Sequence, residues 1–590
     1  MANTLQSPRY TQWPQVGPAR YHGHSISSAS EYKYGGRRHL RDHRNDDEPK
    51  LGSTVRVFAE KPRPAPDQDL RTRNLSIIGL CLGWVTSIAS IATGIYVIAS
   101  PPIPTPTFLL DKIVMIGSVS FTWMHEADPT FENLYLGGHR VYNLDESAML
   151  LLPLIIQLII AVIFGCMSSI HATTLRWALW QEGSLFHNSN LRLFMSSKRN
   201  GPNKWPANVV ACTGLILAYA STSIMTFPVS VVGILDMTRE DPVVYDLASV
   251  GPNRYGLDFN GWGLLGLGIG LLLQATISTW ALLSSPSVGT WSPHPLATAR
   301  ACHHLAQTTN HDRSPTPTFP AFTQPSALAL IPTVRRLANT LWAISLLIIT
   351  LLLTISIIST RLGTNTLSSI TSNFGPPTPW STFQFYGLVS ITYNRDPFSP
   401  SRNEYIGLLI QCLVLTIPLL GLHVAELLAQ LVRDEKIWRR ASTFGISQTG
   451  LVSENLRNWP TCVVFVYSFV VPWVFSFAVS CNRDIYLATL PTVVLAVLFL
   501  GLAGFGEWLI RWRPAGAQPA VYGDLRVLVG LVDEWEHERL FWGDKGELGG
   551  RVRAAGTAGQ RLADVREGVL YRGLSTEVRG PQGEAGLGGR

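Results

Sequence analysis

Long apolar runs alternate with polar connections along this chain. Eight runs reach the roughly 20 apolar residues that a helix needs to cross a bilayer. They cover approximately 75–100, 148–170, 207–235, 262–283, 337–360, 405–428, 461–480 and 485–510. Only Cys481, Asn482, Arg483 and Asp484 separate the last pair, so seven spans with a re-entrant piece is the alternative. The pattern predicts an all-α polytopic membrane protein with about eight transmembrane helices.

Between some runs the period changes from helical to two. In SVSFTW, Val119, Phe121 and Trp123 share a face, and in NLYLGGHRVYNL the pair Gly137-Gly138 sits between two strand-like runs, as in a hairpin. STFQFYGLVSITY alternates through Phe383, Phe385, Val389, Ile391 and Tyr393. These loops predict a small β-rich cap. The run from Pro286 to Pro332 reads instead as a Pro-rich linker carrying Arg313-Ser314-Pro315-Thr316-Pro317, and residues 1–70, rich in Ser, Pro, Gly, Arg and His, read as a disordered basic arm.

Composition agrees with a membrane solvent. Of 590 residues, 46% are hydrophobic and 15% charged, with a mean hydropathy of +0.18, more apolar than a soluble protein. The formal charge of +7 comes without a nucleic-acid module and predicts no nucleic-acid partner; the bilayer is the expected one. Its placement sets the orientation. Lys61, Arg63, Arg71 and Arg73 precede the first run; Arg176, Lys198, Arg199 and Lys204, then Arg335 and Arg336, then Arg433, Lys436, Arg439 and Arg440 mark alternate connections. The intervening loops hold Glu126, Asp128, Glu132, Asp236, Glu240 and Asp241 with few bases. The positive-inside rule then puts both termini in the cytosol and the cap on the exoplasmic side. The first run reads as a signal anchor rather than a cleaved leader, and the plasma membrane is the first choice of compartment. Five of seven cysteines fall inside spans, which excludes a disulfide-stapled ectodomain.

Ionisable residues at the edges of spans are the first candidates for function. GLHVAELLAQLVRDEKIWRR places His423 and Glu426 near the end of the sixth run, and Glu507 lies at similar depth in the eighth. Intramembrane His and Glu invite an ion or proton path. Against this, about 17 apolar residues precede His423, enough to reach the headgroups, and His423, Glu426, Gln430 and Arg433 form one helical stripe. That stripe describes a helix emerging into water as an amphipathic extension.

The tail, residues 511–590, offers a second candidate. Leu525, Leu528, Val532 and Trp535 recur at helical spacing, predicting an amphipathic helix over 521–540 whose apolar face either folds back on the bundle or docks a cytosolic protein partner or the headgroups. Past Gly546 the tail reads as Gly-rich and flexible. Cys302, His303, His304, His311 and Asp312 lie close together, but with one cysteine on a Pro-rich stretch they predict no metal site. FWGDKG lacks the spacing of a phosphate loop, and no catalytic signature is present. No catalytic residue and no cofactor is assigned. Gly79 and Gly83, and Gly266 and Gly270, have the small-xxx-small spacing of close helix contacts. No internal repeat is visible.

Three stretches, TLRWALWQEGSLFHNSNLRLF (Thr174 to Phe194), GLHVAELLAQLVRDEKIWRR (Gly421 to Arg440) and QPAVYGDLRVLVGLVDEWEHERLFWGDKG (Gln518 to Gly546), together make the chain resemble an uncharacterised group of multi-pass membrane proteins of filamentous fungi. The resemblance implies the multi-pass architecture and carries no activity or functional residues with it. From the residues alone, a membrane sensor or scaffold is the first functional expectation and a secondary transporter or channel the second.

Overall fold

The computed structural model describes residues 68–100, 139–143, 146–189, 195–231, 254–284, 288–306, 320–361, 389–391, 400–447, 458–481, 485–549 and 551–573. Its helices, in chain order, are α1 (Gln68–Ala99), α2 (Glu146–Gln181), α3 (Trp205–Met225), α4 (Gly261–Ser284), α5 (Pro295–Ala306), α6 (Ala327–Leu330), α7 (Pro332–Arg361), α8 (Pro400–Arg439), α9 (Trp459–Ala478), α10 (Thr489–Arg511) and α11 (Leu525–Leu531). Eight of them, all but α5, α6 and α11, are long and apolar enough to cross a membrane. α9 and α10 are separate helices of 20 and 23 residues, each long and apolar enough to cross by itself.

Burial shows what these helices face. Met167, Leu271, Leu341, Phe475 and Phe499 are fully buried, while Leu82, Val85 and Ile88 on α1 and Leu346 and Leu353 on α7 remain exposed. A continuous apolar face left outside the protein matches hydrocarbon rather than water. Prolines at the first turns of α3 and α9, Pro206 and Pro460, sit where a helix needs no amide donor.

The eight long helices form two groups of four with one connectivity. In the first, α1 packs along α4 and α2, and α3 along α4 and α2; in the second, α7 packs along α10 and α8, and α9 along α10 and α8. Each group carries a three-stranded antiparallel sheet at the same end. β1 (His139–Asn143) precedes α2, β2 (Thr226–Val231) follows α3 and β3 (Arg254–Asn260) leads into α4, with spatial order β1-β3-β2. Numbering on in chain order past β5 (Ile446–Ser447), β4 (Val389–Ile391) precedes α8, β6 (Val479–Cys481) follows α9 and β7 (Ile485–Leu487) leads into α10, with order β4-β7-β6.

The groups meet through α3 against α8 and α2 against α9, the reciprocal pairing that a twofold relation produces. Individual bonds repeat as well. Ser87 Oγ on α1 donates to the Gly268 carbonyl of α4 at 2.8 Å, and Ser345 Oγ on α7 donates to the Phe499 carbonyl of α10 at 2.9 Å. Gln157 and Gln411, each eleven residues after its helix begins, are buried. Gln157 Nε2 donates to Thr222 Oγ1 at 2.7 Å, and Gln411 Nε2 to the Val479 carbonyl at 3.0 Å. No repeat is visible in the residues; what the two groups share is connectivity and strand order.

The single predicted cap is thus two small sheets, one per group. Residues 118–123 and 131–138 lie outside the described residues, so of the expected Gly137-Gly138 hairpin only the second run is described, paired with β3. Of the loop alternation, Val389 and Ile391 fall in β4, while Phe383, Phe385 and Tyr393 lie outside the described residues, as do residues 1–67 of the arm. The small-residue pairs face helices of this same chain. A side chain at Gly79 would meet Cys166 and one at Gly83 would meet Met167, both on α2, whereas Gly266 and Gly270 face Ser221 and Ala218 on α3.

Candidate functional site

At the end of the bundle opposite the small sheets, four connections fold into one body, called here the tail-face module. They are the described parts of 182–204, 285–331, 440–458 and 512–573. The expected Pro-rich linker over 286–332 is partly helical, containing α5 and α6; Ser314, Thr316, His311 and Asp312 lie outside the described residues. Of the expected flexible Gly-rich end, the described part to Gly573 forms strands instead, and residues 574–590 lie outside the described residues. β8 (Arg539–Gly549), β9 (Val552–Ala558) and β10 (Leu570–Gly573) join β5 in a sheet of order β10-β9-β8-β5.

The predicted helix over 521–540 is short. α11 begins at the Asp524 cap, whose carboxylate accepts from the Arg526 and Val527 amides at 2.9 and 3.4 Å, and stops at Leu531. Helical spacing continues to Val532 and Trp535 by coincidence of pattern. The chain leaves the helix because the amides of Asp533 and Glu534 donate to Thr557 Oγ1 on β9, at 3.2 and 3.3 Å. Leu525, Leu528, Val532 and Trp535 are all buried, in a cluster with Trp177 and Leu179 of α2, Leu296 and Cys302 of α5, and Ile437 and Trp438 of α8. Their apolar face is therefore covered by the protein itself.

Helices α2 and α8 carry this module. A run of 37 residues from Ile406 to Ser442 is about 55 Å long, well beyond the roughly 30 Å of hydrocarbon. Its last turns hold consecutive charges, Arg433, Asp434, Glu435 and Lys436, which occupy every side of the helix, so that some of them must meet another element. Asp434 and Glu435 are buried, with no exposed side-chain surface. Asp434 Oδ2 accepts from Asn188 Nδ2 at 2.9 Å and Ser189 Oγ at 3.2 Å, and Oδ1 accepts from Arg433 at 3.1 Å. Glu435 Oε2 accepts from the amides of Val521 and Tyr522, both at 2.8 Å, while Oε1 takes Arg439 Nε at 2.6 Å.

Around these acids, single residues bridge several segments. Asn188 also donates to the Pro293 carbonyl and accepts from Thr298 Oγ1, each at 2.9 Å, and its amide donates to the Gly523 carbonyl at 2.8 Å. Trp438 Nε1 donates to the Pro519 carbonyl at 2.9 Å, and Gln518 Nε2 returns a bond to the Trp438 carbonyl at 2.8 Å. The described parts of 174–189, 421–440 and 518–546 are thus packed against one another. Sequence reasoning missed Asp434 and Glu435; the signal was an acidic pair within four charges ending a long helix.

Of the candidate ionisable residues, His423 and Glu426 lie together and Glu507 has other partners. His423 Nδ1 lies 3.9 Å from Glu426 Oε2, with both side chains about half exposed, and Glu426 accepts from Gln430 at 3.0 Å. Glu507 is engaged elsewhere, taking Arg335 of α7 at 3.2 Å and Arg511 at 2.6 Å. His423 and Glu426 lie on the stripe expected of an emerging helix.

The cysteine and histidines of α5 also take structural positions. Burial pushes the Cys302 thiol up to about 12, keeping it protonated at neutral pH, and His303 stacks on Trp535 with ring centres 5.2 Å apart. Among the described residues no group of three or more His, Cys, Asp or Glu is arranged to hold a metal ion.

In the sheet, Asp544 is the electrostatic centre. Burial raises its carboxyl, but bonds from Arg553 Nε at 2.7 Å, the Gly546 amide at 2.8 Å and the Tyr571 hydroxyl at 2.9 Å hold it below the ordinary range. A carboxyl whose folded pKa is depressed stabilises the fold above its unfolded pKa, about 3.9, and loses that contribution as pH falls from there through the folded value. Asp544→Asn is expected to cost the module about 2 kcal/mol at neutral pH and to flatten this acid dependence. Hydrogen exchange of β8–β10 from about pH 6 to about pH 3 checks both; an unchanged profile in the variant refutes the assignment.

No family model, no curated protein and no solved structure matches the chain.

Proposed function

We propose that this multi-pass membrane protein is a sensor or scaffold, with the tail-face module in the cytosol as its output surface. The observation that carries the reading is the seating of Asp434 and Glu435: the charged end of a membrane helix is bonded directly to the module's backbone and side chains. A shift of α8 within the bilayer would therefore move residues 186–189 and 521–525 together. The orientation is supported by Lys198, Arg199, Lys204, Arg335, Arg336, Arg440, Arg511 and Arg513 occurring at the module end of the helices, as the positive-inside rule requires of a cytosolic face. Because the Leu525 to Trp535 stripe is covered, a cytosolic partner would dock on the outer surface of the folded module.

A transporter is the second reading, and the duplicated four-helix groups favour it, since many transporters place their substrate path between related halves. The pairing of Glu507 with Arg335 and Arg511 weighs against the particular proton path expected from the sequence. Proteoliposomes discriminate the two. Full-length protein is expected to give no proton or potassium flux above protein-free liposomes, with Glu426→Gln indistinguishable from wild type. Flux that the substitution abolishes would overturn the sensor reading and reinstate Glu426 as part of a path.

A further inference from the structure

One outer corner of the bundle holds a cation for which the protein supplies no counter-ion. Lys436 lies in the last turn of α8, and its ammonium sits over the rings of Trp459, the first residue of α9, and Trp512, which follows α10, at 5.3 and 5.7 Å from their centres. Among the described residues Lys436 Nζ has no carboxylate and no hydrogen-bond acceptor, and it keeps accessible surface. An aromatic face attracts a cation but accepts no conventional hydrogen bond, so the three donors of the ammonium stay open to a ligand.

The rings around Lys436 belong to an outward-facing cluster. Trp459 lies 5.3 Å from Trp508 and 5.5 Å from Phe505 of α10, centre to centre, and both tryptophans are about half exposed. Beside Trp508, the exposed Arg511 shares the single carboxylate of Glu507 with the half-exposed Arg335 of α7. Three cations thus meet one acid here. Away from the module, the same helix faces turn apolar and stay open. Val466, seven residues after Trp459, and Val497, eleven before Trp508, repeat the directions of those rings and are exposed. Between Val497 and Trp508 a Cβ at Gly504 would meet nothing within 4 Å, so the surface is also shallow there. Tryptophans bordering an exposed apolar face mark the level where headgroups meet hydrocarbon.

We propose that this corner binds an anionic phospholipid, with its phosphate on Lys436, its glycerol against Trp459 and Trp508, and an acyl chain along the face of Val497 and Gly504. Each level of the surface meets the matching part of one molecule. The open ammonium takes the phosphate through charge-assisted bonds, the half-exposed rings suit the boundary between headgroup and chain, and the apolar face below them takes the chain. Charge selects the headgroup. A zwitterionic lipid brings a second cation to a corner where cations already outnumber acids, whereas an anionic one adds only the missing negative charge. The proposal goes beyond both functional readings above and depends on neither, since it needs only that these helices cross a membrane.

Full-length protein in detergent is titrated with dioleoyl phosphatidylserine and, separately, with dioleoyl phosphatidylcholine, and bound lipids are counted by native mass spectrometry. Wild type is expected to take its first phosphatidylserine about 10-fold more tightly than its first phosphatidylcholine, and Lys436→Gln to bring the two affinities within about twofold. Arg572→Gln, at an exposed arginine of β10, changes the net charge equally and should leave the preference intact. Should Lys436→Gln fold poorly, Lys436→Met keeps the apolar stem over the rings and is expected to lose the preference to the same degree. Equal affinities in wild type, a preference that survives in the folded Lys436 variant, or one lost as fully in Arg572→Gln overturns the proposal. So does full displacement of the lipid by glycerophosphoserine, which carries the headgroup without acyl chains and would make the ligand a soluble phosphate.

Discussion

Replacing Glu435 with alanine is expected to cost about 3–5 kcal/mol and to release the tail-face module from the bundle while the long helices stay folded. The magnitude follows from what the carboxylate alone supplies. Its side chain has no exposed surface, and one oxygen is the acceptor for the Val521 and Tyr522 amides. Truncation leaves two buried amides without that acceptor and the Arg439 guanidinium without its counter-ion. Each orphaned group costs about 1–3 kcal/mol, more when charged, and no side chain already present can replace the acceptor. Glu435→Gln keeps one amide oxygen and should lie between wild type and alanine. The measurement is hydrogen exchange over residues 518–531 together with trypsin cleavage after Arg511 and Arg513. Faster exchange and new cleavage at those sites, with α1 to α4 unchanged, is the expected pattern; protection equal to wild type in the alanine variant would show that the module is held by its apolar cluster instead.

That contrast explains what could and could not be read from the residues. The long helices were legible because apolar length is a local property, and the eight runs fall on eight helices. The tail-face module was not, because its order comes from bonds between distant segments. Asn188 and Asp434 are 246 positions apart, and nothing near either residue announces the other. Local pattern even misled at 532–535, where helical spacing persists although Thr557 has drawn the backbone out of the helix. Tertiary contacts routinely override propensity at such ends. Duplication was hidden for a related reason. Helix packing in a bilayer asks only for apolar surface and small residues at contacts, so two groups can share a connectivity without a shared residue pattern. Gln157 and Gln411 stand out as buried side-chain amides at the same distance from their helix starts, each donating through Nε2. Of the sequence-derived candidates, the Leu525 to Trp535 stripe lies inside the module, whereas Glu507 pairs with Arg335 and Arg511 and not with the neighbouring His423 and Glu426, since depth along a helix says nothing about which side of it faces a neighbour.

The small-residue contacts give the second large effect, and here one substitution should act with opposite signs at two places. A Cβ at Gly270 of α4 would lie 2.7 Å from the Ala218 amide nitrogen, 2.7 Å from the Gly214 carbonyl oxygen and 2.9 Å from the Ala218 Cβ, all on α3. Two of the three are backbone atoms of a packed helix, so the side chain cannot be accommodated by a rotamer change, and α3 must move away from α4. Gly214 faces Gly270 in return, with 2.9 Å from its own Cβ position to the Gly270 carbonyl; the two helices therefore touch backbone to backbone. In hydrocarbon, where close packing rather than water exclusion holds helices together, losing that approach removes the main source of their association. Gly270→Ala is expected to destabilise the bundle by about 3 kcal/mol, the upper part of the overpacking range, after allowing for a gain in helix propensity of up to about 1 kcal/mol. At Gly504 of α10 nothing lies within 4 Å of an added Cβ, so Gly504→Ala should keep the propensity gain and stabilise slightly. Thermal unfolding in detergent, read by the monodisperse fraction after heating, compares the pair. If Gly270→Ala melts at or above the wild-type temperature, the backbone contact between α3 and α4 is not what joins them.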